Sequence, residues 1–106
     1  MTVYVVHPVS DDIKAAEQWG RIDYVNHRYI NGDELNGENL PPEFVLQMEQ
    51  AVAEFNTEHD YLLIVGDHLQ LIQMTALLIE EHGHFRVLRW DRRERAYFPA
   101  MISVGG

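Results

Sequence analysis

Two short stretches gather the residue types that carry chemistry in this chain: His7-Pro8-Val9-Ser10-Asp11-Asp12 and Gly66-Asp67-His68. Two imidazoles, three carboxylates and a hydroxyl are groups that can ligate a divalent cation or pass protons. Helices starting just after them would also aim backbone N–H groups at a phosphate. The candidate ligand-binding set is therefore His7, Ser10, Asp11, Gly66, Asp67 and His68. The same residues have structural uses. An aspartate at a helix start accepts a backbone N–H and complements the helix dipole, and a histidine before proline can simply close a strand. No HExxH, GxxxxGK[ST] or dinucleotide-binding fingerprint occurs. No catalytic residue is assigned, no cofactor is called for, and the spacing does not name a metal.

For the two stretches to meet, the elements before them must run side by side. Residues 61–65 form a short, wholly apolar run that ends at Gly66-Asp67, and a long apolar run follows. A buried parallel strand entering a helix has this pattern. Residues 2–6 are a second β-branched and aromatic run, halted by His7-Pro8. Between the two, Ser10 is placed to cap an α-helix over residues 11–19, with Ile13, Ala16 and Trp19 on one face and Gly20 as its stop. Residues 21–30 have the partial alternation of an edge strand. Residues 31–40 form an acidic, glycine-punctuated loop. Pro41-Pro42 open a helix whose stripe is Phe44, Val45, Met48, Ala51, Val52 and Phe55. The later helix, over residues 69–82, has a stripe of Leu69, Ile72, Ala76 and Ile79 broadened by Leu71 and Leu78, with Gly83 just past its end. Residues 84–90 and 96–104 form a terminal hairpin.

This element sequence predicts an α/β fold: one domain over residues 1–106, built as a three-layer α/β/α sandwich. Its sheet is mostly parallel, in the order 2-1-3-4-5, with a C-terminal antiparallel hairpin. Strands 1 and 3 are then neighbours at the point where ligands are held in open sheets.

The hairpin holds the chain's one basic and aromatic patch: Arg86, Arg89, Trp90, Arg92, Arg93, Arg95, Tyr97 and Phe98. Arginine and aromatic side chains anchor protein interfaces, and this set is the candidate contact surface. His82 and His84 flank Gly83 as solvent-facing residues at a helix end. Net charge is −9 over 106 residues, unevenly spread. Residues 1–85 carry three basic against fifteen acidic side chains, whereas residues 86–106 carry five arginines against two acids. Such a body repels nucleic acid and anionic membrane, and attracts a basic partner. There is no cysteine, no run long enough to span a membrane and no secretory start. The expectation is a cytoplasmic protein that binds another protein or itself.

At VYVVHP (3 to 8), VGDHLQL (65 to 71), TALL (75 to 78) and FRVLRWDR (85 to 92), the chain resembles small uncharacterised accessory proteins of tailed bacteriophages. The resemblance implies a protein made in the cytoplasm of an infected bacterium and acting on a host component. It carries no catalytic residue. The second functional expectation is an enzyme or sensor for a phosphorylated small molecule or nucleotide, held where strands 1 and 3 end.

Overall fold

The structure, a computed structural model, describes residues 1–29 and 39–105. The expected loop at residues 31–40 therefore falls almost wholly outside the described residues. In chain order the elements are β1 (Thr2–Val5), the 3-10 helix η1 (Lys14–Trp19), β2 (Arg21–Tyr24), α1 (Pro42–Glu54), β3 (Tyr61–Leu63), α2 (His68–His82), β4 (His84–Asp91) and β5 (Ala96–Ser103). The five strands form one sheet in the order β2-β1-β3-β4-β5, parallel except for the β4–β5 pair. The sequence-derived order and directions hold.

Helices α1 and α2 cover one face. Under them lie Tyr4, Val6, Leu62, Phe85 and Val87 from the strands, with Phe44, Met48, Val52, Met74 and Leu78 from the helices. Phe55, just past α1, packs at 5.5 Å from Tyr4 and edge-on at 6.3 Å from Phe85, so aromatic contact joins β1 to β4 beneath α1. The opposite face buries Val3, Val5, Tyr61, Leu63, Leu88 and Tyr97 against Ala16, Ile13 and Trp19.

Three local expectations change. The segment before β2 is a 3-10 helix capped by Ile13 without a side-chain bond, rather than a Ser10-capped α-helix. Ile13, Ala16 and Trp19 recur at a strict interval of three, which lines up only at three residues per turn. An α-helix would need partners at i+4 as well. In α2 the face on the sheet is Gln70, Leu71, Met74 and Leu78, while Ile72 is 67% exposed. The helix is apolar nearly all round, so periodicity could not set its phase. His82 turns inward: its Nε2 lies 2.8 Å from the Val52 carbonyl and its ring packs on Phe55. Gly83 ends α2 in the left-handed region at φ 79, as its position predicts.

Strand β5 is an open edge that carries a proline. The Leu88 carbonyl accepts from Ile64 N–H at 3.0 Å, so Leu88 spends its backbone groups on β3. Pro99 lies opposite Leu88 and therefore turns its nitrogen outward. It loses no ladder bond there, and it leaves a gap in the row of donors that another strand would need.

Burial pushes the Tyr4 phenol above its ordinary value of 10.0, helped by the carboxylates of Asp60, Glu54 and Asp23. A pKa raised by folding adds stability that is complete below the unfolded value and is lost as pH climbs past it. Urea midpoints measured at about pH 9 and pH 11 should fall more steeply for the wild type than for Tyr4→Phe. Equal falls would remove Tyr4 as a source of alkaline sensitivity.

Candidate functional site

Strands β1 and β3 are parallel neighbours, with Val3 opposite Tyr61 and Tyr4 opposite Leu62, so His7 and Gly66-Asp67 emerge at the same sheet edge. The His7 side chain is buried at 4% exposure. Asp67 N–H donates to its Nε2 at 2.9 Å. The ring therefore carries its proton on Nδ1, which donates to the Pro8 carbonyl at 2.7 Å. Tyr29 meets the ring edge-on at 5.0 Å. Both nitrogens are thus engaged by backbone. Gly66 makes the approach possible: at φ +100, a Cβ there would lie 2.9 Å from His7 Nε2 and 3.0 Å from Val6 Cγ2.

Asp67 caps α2, its Oδ2 accepting Gln70 N–H at 3.0 Å. His7, Ser10, Asp11, Gly66 and Asp67 line one cleft of about 440 Å³ together with Tyr29. His68 is exposed and lies outside that lining. Among the described residues, no group of three or more His, Asp and Glu side chains is placed to hold a metal ion. The first-turn donors of α2 face a carboxylate already in position. With Asp11 on the wall as well, the cleft carries negative charge and disfavours a phosphate.

The first turn of α2 also holds half of a polar pair that sequence reasoning missed. Asn26 and Gln70 are wholly buried, and Asn26 Nδ2 donates to Gln70 Oε1 at 3.0 Å. Asn26 Oδ1 and Gln70 Nε2 have no partner among the described residues. The spacing Asp67-x-x-Gln70 is that of a capping box, in which Gln70 would reach back to Asp67 N–H. His7 holds that donor instead, and Gln70 turns to Asn26. Asp60 is a second missed residue. Buried in the loop before β3, it accepts Thr2 N–H at 2.9 Å and Asn56 N–H at 2.8 Å.

The hairpin residues separate. Arg86 is drawn inward, its guanidinium 4.5 Å above the Tyr61 ring and its Nη2 donating to the Glu58 carbonyl. Arg89, Trp90, Arg92, Arg93, Arg95 and Phe98 stay exposed. The one ion pair recorded among the described residues joins Arg28 to Glu43 at 3.1 Å, far from the hairpin in sequence. Trp90 lies opposite Tyr97, at a pair without mutual hydrogen bonds where side chains come closest. Their rings meet at 5.0 Å, edge to face. With Asp11, Asp12 and Val65 they enclose a second cavity of about 300 Å³. Asp11 borders both spaces. Burial raises the Tyr97 phenol, and the carboxylates of Asp11 and Asp12 raise it further.

Two substitution sets test this geometry by urea denaturation. His7→Ala should cost about 1–3 kcal/mol by stripping Asp67 N–H of its acceptor. Gly66→Ala should cost a similar amount, roughly 1–3 kcal/mol, from backbone strain and the 2.9 Å approach. A change within error for either would show that the link is idle. Gln70→Met alone should destabilise by about 1–3 kcal/mol, because Asn26 is left buried without a partner. Adding Asn26→Leu should recover most of that loss; a further loss would contradict the account.

No helix of the described residues is long and apolar enough to cross a membrane. Neither the curated proteins nor the solved structures include a match to the chain. A family model, that of Phage Pam3 gp32-like protein, matches residues 1–104. The match spans both strand ends, the cleft between them and the hairpin. The chain belongs to the family of Phage Pam3 gp32-like proteins, a bacteriophage protein family.

Proposed function

We propose that this phage protein acts in the host cytoplasm as an accessory protein that binds another protein, and that the β4–β5 hairpin makes the contact. One observation carries the proposal. Of the eleven large apolar side chains left exposed among the described residues, Trp90, Phe98, Met101, Ile102 and Val104 fall within fifteen positions of the chain. Apolar exposure concentrated in one element is a mark of an interaction surface, whereas scattered exposure is ordinary. By alternation, Trp90 and Met101 lie on one face of the hairpin, and Phe98 and Ile102 on the other. Exposed arginines without an ion pair among the described residues flank these side chains, and the acidic body supplies the opposite charge elsewhere. Arginine and tryptophan are the residues most enriched where binding energy concentrates.

The contact is a side-chain contact. Pro99 removes a donor from the middle of the open edge, which works against addition of a partner's strand, including that of a second copy. The alternative, an enzyme or sensor for a phosphorylated ligand at the cleft, meets the carboxylates of Asp11 and Asp67. Its imidazole, His7, already has both nitrogens bonded.

Affinity capture from host lysate tests the proposal. Phe98→Lys and Met101→Lys should each abolish recovery of the protein retained by wild type. Leu46→Lys, on the exposed face of α1, should leave recovery intact. If the hairpin variants capture as wild type does, or wild type retains nothing and sediments as a monomer, the proposal fails.

A further inference from the structure

The second cavity specifies what the partner must present. We infer that the space between Trp90, Tyr97, Asp11 and Asp12 receives a basic side chain, arginine or lysine, projecting from the protein partner. The inference rests on the protein-binding proposal and adds the chemistry of recognition.

The walls differ in kind. On one side stands the aromatic pair, with Trp90 44% exposed and Tyr97 only 3%. On the other stand Asp11 and Asp12, exposed at the cavity mouth and without an ion pair among the described residues. Asp12 Oδ1 accepts Lys14 N–H at 3.0 Å, which holds that carboxylate in place and leaves its charge uncompensated. Tyr97 is almost wholly buried as a residue and lines the cavity, where its hydroxyl is open to a donor. The same two carboxylates raise the pKa of that phenol, so their field reaches the cavity wall.

Each class of occupant meets these walls differently. An anion is repelled by two carboxylates. An apolar side chain would strip water from the two carboxylates and offer them no donor in return, which charged groups do not tolerate cheaply. A bare metal ion lacks ligands, since among the described residues no third carboxylate or imidazole joins the pair. A basic side chain satisfies every wall. Its charge meets Asp11 and Asp12, its donors reach the phenol oxygen, and its stem or guanidinium plane lies along Trp90 and Val65. The volume, about 300 Å³, suits one long side chain rather than a water, whose share of liquid is roughly 30 Å³. The cavity opens on the face of the hairpin that also exposes Trp90 and Met101, so a partner docked on that face has this pocket within its footprint.

The test uses the indole N–H resonance of Trp90, assigned by its disappearance in Trp90→Phe, with the buried Trp19 indole as internal reference. The full chain is titrated with three capped tripeptides, Gly-Arg-Gly, Gly-Lys-Gly and Gly-citrulline-Gly, the last a neutral isostere of the first. The arginine or the lysine peptide should shift the Trp90 resonance saturably and leave Trp19 still, while the citrulline peptide has little effect. Asp11→Asn with Asp12→Asn, a near-isosteric surface change, should weaken binding about tenfold, in line with loss of charge-assisted contacts. An unmoved Trp19 resonance in that variant reports that the fold is kept. An equal response to citrulline, no response to either basic peptide, or undiminished binding by the double variant would overturn the inference. If peptide binding fails while capture still depends on Phe98 and Met101, only the pocket assignment falls.

Discussion

The bond from Asp67 N–H to His7 Nε2 is the constraint on which the rest of this structure depends. Strand β3 is only three residues long and meets β1 over two residue pairs. So short a parallel pairing is weak by itself, because parallel ladders gain slightly less per residue than antiparallel ones. The histidine closes the pairing at its open end and orients the first turn of α2. Gly66 is the residue that lets the two backbones come close enough. From this junction follow the position of α2 over β4, the cleft beside Ser10 and Asp11, and the seat of the Asn26–Gln70 pair.

The junction also redistributes chemistry. Residues that would serve as ligands or proton carriers on an open surface are used up in holding the sheet edge together. His7 has neither nitrogen to spare, and Asp67 gives an oxygen to its own helix. What stays available is negative charge at Asp11 and Asp12 and aromatic surface at Trp90 and Tyr97. These belong to different elements, the loop before η1 and the hairpin. The packing of Ile13, Ala16 and Trp19 on the sheet face of Leu88 and Tyr97 brings them together. Recognition of a cationic group is therefore a property of the packed sheet rather than of either segment.

Much of the fold was legible in the sequence. Undivided apolar runs at residues 2–6 and 61–65 marked strands buried on both faces, and right-handed crossovers then left few possible orders for five strands. Gly83 and Pro42 marked helix ends because few other residues do their work as well. The segment before β2 reads in sequence as an α-helix capped by Ser10, and the 3-10 form with Ile13 at its cap emerges only from the packing of Ile13, Ala16 and Trp19 on the sheet. The phase of α2 was not legible either. Leu69, Leu71, Ile72, Met74, Leu77, Leu78 and Ile79 surround the helix with apolar side chains, and only packing against α1 and β4 chooses which are buried.

The sequence by itself determined the elements, their order and the acidic balance of the body, since local propensity, hydrophobic period and charge are properties of neighbours in the chain. It also placed His7, Asp11 and Asp67 at one sheet edge. Tertiary structure alone decided what those side chains do there. Whether His7 binds a ligand or clamps a backbone depends on an N–H sixty residues away and on the missing Cβ of Gly66. Whether Arg86 faces a partner or folds over Tyr61 depends on the neighbouring strand. Contacts of that range are set by the packing of the sheet, and no stretch of sequence contains both of their ends.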